Sequence, residues 1–108
     1  MIHQLRVYEI FEDNKKAFHD RFEEHAIRIM ESYGFNFVST WESKTKDRTE
    51  FVYLLEWPDD ETMTQAWEEF MADQEWKDIK KVTGAEHGQM VGDIEEKVLR
   101  PTGYSSAR

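Results

Sequence analysis

At 108 residues the chain has the size of one compact domain, and 15 aromatic residues in a sequence that is 34% charged supply a core beneath a heavily solvated surface. A net charge of −9, from 23 acidic against 14 basic residues, excludes a chain-wide electrostatic footprint for nucleic acid. The absence of cysteine excludes disulfides, thiolate nucleophiles and cysteine-ligated metal centres, and no apolar run approaches the ~20 residues of a membrane span.

In chain order, Ile2 to Ile10 is β-branched and aromatic and predicts a strand, with His3, Leu5, Val7 and Glu9 on one face and Ile2, Gln4, Arg6, Tyr8 and Ile10 on the other. Asp13 or Asn14 then caps a helix whose Phe18, Phe22, Ala26, Ile29, Met30 and Tyr33 recur at steps of three and four, and Gly34 ends it. Phe35 to Ser43 and Glu50 to Trp57 alternate on either side of the charged Lys44 to Thr49, which predicts a hairpin. Pro58 stops that strand, Asp59 and Asp60 offer N-caps, and Met63, Trp67, Phe70 and Met71 build a second helical stripe, followed by a short helix with Trp76, Ile79 and Val82 on one side. Gly88 and Gly92 are expected to break the pattern before a last strand in which Ile94, Glu96 and Val98 alternate with Glu95, Lys97 and Leu99.

The order β-α-β-β-α-β predicts an α+β, ferredoxin-like subunit with a four-stranded antiparallel sheet. Residues 1–101 form the domain, and 102–108 a tail without apolar period, either an irregular terminus or an arm that orders on a partner. Helices in such a fold cover one sheet face, yet both faces carry apolar residues. Leu5, Val7, Val38, Val52 and Leu54 make an aliphatic set; Arg6, Tyr8, Phe37, Trp41, Phe51, Tyr53, Leu55 and Trp57 make an aromatic one. One face is therefore left for association, and a two-fold homodimer packed sheet to sheet is expected.

Four segments carry a resemblance: Leu5-Arg6-Val7-Tyr8; Gly34-Phe35 leading to Trp41; Phe51 to Trp57 through Trp67, Phe70 and Glu75-Trp76; and Leu99-Arg100-Pro101-Thr102-Gly103-Tyr104-Ser105. Together they resemble the NIPSNAP family, a branch of the dimeric α/β-barrel superfamily. The resemblance implies ferredoxin-like subunits whose sheets meet in a dimeric barrel; it implies little about activity, since the family's biochemical role is poorly defined and fold does not fix function. The superfamily also holds cofactor-independent monooxygenases, in which a Trp ends the third strand with an Asn four residues earlier. Trp57 matches the Trp; Tyr53 stands where the Asn would be, and Met63 where the following helix often has a Tyr.

The resemblance further suggests that the aromatic face looks toward the helices. On that orientation Arg6, Tyr8, Trp41, Tyr53, Trp57 and Trp67 are the candidate ligand-binding residues, with Phe22, His25 and Tyr33 completing a roof. Such a pocket suits a flat, partly anionic small molecule, the rings stacking and Arg6 pairing with a carboxylate or enolate. The alternative is that the rings are core and Arg6 pairs with an internal carboxylate such as Glu9 or Glu56. His25, as a general base, and Tyr53, as a hydrogen-bond donor, are the candidate catalytic residues.

No metal site is expected: His19 and Glu23 lie one helical turn apart but HExxH is absent, and where haem-degrading relatives place a His this chain has Lys77, Lys80 and Lys81. No cofactor is expected either, because GxGxxG, Walker and GxSxG patterns do not occur. Residues 59–86 hold nine acidic and three basic side chains, readable as a solvated helix surface or as a recruitment surface for a basic partner. The opening Met1-Ile2-His3-Gln4-Leu5 has neither signal nor transit character, so a cytoplasmic setting is expected. Three functions stay open: a NIPSNAP-like homodimer of unassigned activity with a small-molecule pocket; a cofactor-independent monooxygenase or isomerase for a small aromatic or enolisable substrate; and a non-catalytic binding or scaffolding module.

Overall fold

A computed structural model describes residues 1–106; the last two residues of the expected tail lie outside the described residues. Strand β1 spans Ile2–Ile10. A 3-10 turn, Glu12–Asn14, leads into α1 (Lys15–Arg21), a π-helical turn (Phe22–Ala26) and α2 (Ile27–Ser32). Then follow β2 (Asn36–Lys44), β3 (Thr49–Trp57), α3 (Asp60–Ala72), α4 (Gln74–His87) and β4 (Val91–Leu99). The strands lie in the order β2-β3-β1-β4 with every pair antiparallel, the ferredoxin-like α+β arrangement that the element order predicts.

The π turn answers a problem in the sequence pattern. Phe18, Phe22, Ala26 and Met30 are all buried, yet successive four-residue steps run ahead of a 3.6-residue turn. A wider turn at Phe22–Ala26 takes back that drift and keeps the row on the sheet. The run ends at Gly34, φ 92°, where the Gly34 amide donates to the Glu31 carbonyl and the Phe35 amide to that of Met30, while Phe35 and Met30 are both buried. At the start, Asn14 caps by position only; its side-chain amide goes instead to the Gln89 carbonyl, 2.8 Å away. Asp59 and Asp73 cap α3 and α4, accepting from the amides of Thr62 (2.7 Å) and Trp76 (2.8 Å).

The helices cover the face that carries Ile2, Gln4, Ile10, Thr49, Phe51, Tyr53, Leu55 and Trp57, all buried. Two bulges depart from simple alternation. In β2 one extra residue falls between the pairs Phe37–Leu55 and Ser39–Leu54. Because side chains alternate with period two, that residue reverses the faces beyond it and sets Trp41 opposite Val52, on the side away from the helices. Trp41 is accordingly 49% exposed and does not line the helix-side space in which it was expected.

The second bulge lies in β4, between the pairs Tyr8–Ile94 and Ile10–Val91. Gly92 does not break the strand, as expected from the sequence, but lies inside it. A Cβ there would run into the Glu9 carboxylate, which accepts the Asp93 amide at 3.2 Å. On the face away from the helices, Trp41–Val52–Val7 form one apolar row and Leu54–Leu5 a second, flanked by Ser39. Charged groups close both ends: His3 with Glu56 (3.3 Å), and Arg48 with Glu50, Glu95 and Asp93 (2.8–3.5 Å). No helix among the described residues is long and apolar enough to cross a membrane.

Candidate functional site

Register places Arg6 on β1 between Tyr53 on β3 and Glu96 on β4, all on the helix-facing side. The guanidinium uses every nitrogen: Nε donates to the Tyr53 hydroxyl (3.3 Å), Nη2 to that of Tyr8 (3.2 Å) and Nη1 to Glu96 Oε2 (3.1 Å). It stacks 4.3 Å from the Trp67 ring centre, and the two phenols share a 2.6 Å hydrogen bond. Burial pushes the Tyr53 phenol well above its ordinary pKa, with Tyr8 adding to the shift and Arg6 opposing it. Tyr53 therefore acts as a neutral hydrogen-bonding group, and Glu96 supplies the charge that balances Arg6. The internal partner is thus Glu96, rather than Glu9 or Glu56; Glu56 is taken by His3 and Asn36.

Two residues back along β1, on the same face, Gln4 is 1% exposed. Its carbonyl oxygen accepts from the indole nitrogens of Trp57 (3.0 Å) and Trp67 (2.8 Å), and its amide donates to Glu96 Oε1. Gln4 so fixes the ring on which Arg6 stacks and the carboxylate that neutralises it. Above lies an open cleft of about 440 Å³ between α3 and the β1–β4 edge, lined by Arg6, Met63, Thr64, Trp67, Met71 and Glu96. Trp67 and the two methionines give it an adaptable apolar wall, while Arg6 and Glu96 give it charge.

Arg6, Tyr8, Tyr53, Trp57 and Trp67 are brought together, but at different depths. Tyr53 and Trp57 are sealed, 0% exposed, with Phe22 and Phe35 against their rings at 5.4 and 4.9 Å. Tyr53 reaches the cleft only through Arg6, which makes it a positioning group. His25 sits on the π turn beside Glu75 of α4, and Tyr33 donates to Asp73 at 2.6 Å, lining a separate groove with Glu61, Gln65 and Glu69. Neither joins the cleft. Among the described residues no group of three or more His, Cys, Asp or Glu could hold a metal ion.

Sequence reasoning missed Gln4 and Glu96. The signal was present for Gln4, which lies in period with Arg6 on the same strand, but only strand pairing shows that Glu96, of all the carboxylates, stands opposite Arg6.

The fold and cleft define an α+β subunit of the ferredoxin-like class, with its sheet covered by helices on one side. The chain belongs to the NIPSNAP family, whose sequence model matches residues 3–106. A NIPSNAP family protein from Agrobacterium tumefaciens superposes with a TM-score of 0.83 at 16% identity, over 99% of this chain and 98% of that one. A second, of unknown function and from the same organism, gives 0.80 at 19% identity over 98% and 92%. More distantly, a monooxygenase from Streptomyces coelicolor in complex with nanaomycin D gives 0.58 at 12% identity over 94% and 88%, a likeness of fold alone. Among curated proteins none matches the chain significantly.

Proposed function

We propose that the protein is a cytosolic homodimer that binds a flat, partly anionic small molecule in the cleft between α3 and the β1–β4 edge. The observation that carries this reading is the Arg6 guanidinium, stacked on Trp67 and held by two tyrosine hydroxyls at the foot of an open apolar-walled space. The side chain of its partner Glu96 is 42% exposed, so a ligand carboxylate or enolate can reach and compete with it for Nη1 while the ligand's ring lies along Trp67 and Met63. Binding is favoured over turnover because the groups best suited to proton transfer are out of reach: Tyr53 is sealed, and His25 stands elsewhere on the helix.

Dimerisation is supported by the two apolar rows on the uncovered sheet face and by charged groups at both ends of them. The cysteine-free, acidic composition fits the cytosolic setting. Titration with 2-naphthoate, followed by tryptophan fluorescence, tests the ligand reading. The expected result is a saturable change that Arg6→Met abolishes while the circular dichroism spectrum is kept; a response equal in wild type and Arg6→Met would overturn it.

A further inference from the structure

Five arginines fall within the described residues, and four have carboxylate partners: Arg6 with Glu96, Arg28 with Glu75, Arg48 with Glu50 and Arg100 with Asp60. Arg21, the last residue of α1, does not, although the chain carries 23 acidic side chains. Its Nη1 donates to the Thr83 hydroxyl at 3.1 Å, and the guanidinium lies 5.4 Å from the Trp76 ring centre. The Lys80 ammonium lies 5.9 Å from that same ring centre, so two cations share one indole with no acid among the described residues at hydrogen-bond distance from either. Arg21 is also partly withdrawn from water, and burial pulls its pKa down.

Beside the guanidinium is a small cavity between helices and sheet, about 40 Å³, lined by Tyr8, Phe18, Phe22, Phe70 and Trp76 together with Arg21. A cavity of that size seats roughly three water-sized groups, at about 10–15 Å³ each. Its walls are mostly aromatic, Ala26 and Met30 supply the rest, and Arg21 brings the charge. A partly desolvated cation without a counter-charge costs free energy that an anion recovers. Aromatic walls suit a short apolar tail, and the few donors suit a monoanion better than a phosphate dianion, which needs several.

We infer that Arg21 and the cavity beside it form a binding site for a small monocarboxylate of acetate or propionate size, with the carboxylate on the guanidinium and the methyl end against Phe18, Phe22 and Phe70. The site is separate from the α3 cleft. The two arginines flank Tyr8, but Arg6 is already neutralised by Glu96 and Arg21 is not.

Propionate titrated into the ¹⁵N-labelled full chain, in a buffer without competing carboxylates, tests the assignment. Saturable shifts of the Trp76 indole and Arg21 Nε–H signals are expected in the millimolar range. Arg21→Met should weaken the apparent affinity by about tenfold or more, the size of one charge-assisted hydrogen-bond pair. Arg100→Met, which removes an exposed guanidinium already paired with Asp60, should leave it unchanged, which ties the effect to Arg21 rather than to any lost positive charge. Arg21→Lys, which keeps the charge on the helix, serves if Arg21→Met fails to fold and should bind with intermediate affinity. Equal binding by Arg21→Met, an equal loss in Arg100→Met, or no saturable shift in the wild type would each overturn the inference.

Discussion

Gln4 shows how much can rest on one side chain, since its carbonyl oxygen holds two indoles and its amide a carboxylate. Leucine has nearly the same volume but would leave the Trp57 and Trp67 N–H groups without that acceptor, the former fully buried. Gln4→Leu should therefore cost about 2–4 kcal/mol, read from urea unfolding, the range for one to two stranded buried donors. Glu96→Gln should cost far less, because water reaches that side chain. Gly92 is the other position where one atom decides. Gly92→Ala forces the Glu9 carboxylate off the Asp93 amide and should cost about 1–2 kcal/mol. Adding Glu9→Ala should recover part of that loss, since the nearer obstacle is then gone while the Phe11 ring remains, and a double-mutant cycle in urea measures the coupling.

At the level of elements, Asp73 joins three helices. It caps α4 through the Trp76 amide and accepts the Tyr33 hydroxyl from the turn after α2, just beyond the end of α3. Those two bonds, the Tyr33 one first, hold its carboxyl below the ordinary 3.8. A depressed carboxylate contributes stability above its unfolded pKa and loses it as pH falls through the folded value. Asp73→Ala should thus lower stability by about 1 kcal/mol at neutral pH, the usual loss of an N-cap. The gap between variant and wild type should close as the pH falls below 3.8 and through the lower folded value. Urea midpoints of both proteins across that range check the sign: a gap that widens toward acid would contradict it.

For the whole molecule, the proposed two-fold assembly sets a prediction on the uncovered sheet face. Val52 lies in the central row between Trp41 and Val7. Val52→Glu should convert a species of twice the 13.0 kDa chain mass into one of the single mass, measured by light scattering, with the helical circular dichroism unchanged. A wild-type protein that already scatters as a single chain would remove the assembly from the proposal. The ligand cleft opens on the opposite, helix-bearing side, so Val52→Glu also separates assembly from binding.

How much of this was legible in the residues follows from the range of the interactions involved. Strands, helices, the Gly34 cap, the Asp59 cap and the element order depend on period and on neighbours a few residues away, and the sequence by itself determined them and, with them, the ferredoxin-like class. The aromatic character of the helix-facing side was also legible, as was Arg6 among it. Contacts across the chain were not. The bulge that turns Trp41 outward depends on how β2 pairs with β3, and one extra residue there reverses every side chain beyond it. Glu96 meets Arg6 across 90 positions of sequence. Arg21's lack of an acid partner is a property of the whole packed surface, invisible to any count of charges. Those choices belong to tertiary structure because pairing register and ion-pair selection compare many similar local options and are settled only when strands and helices dock together.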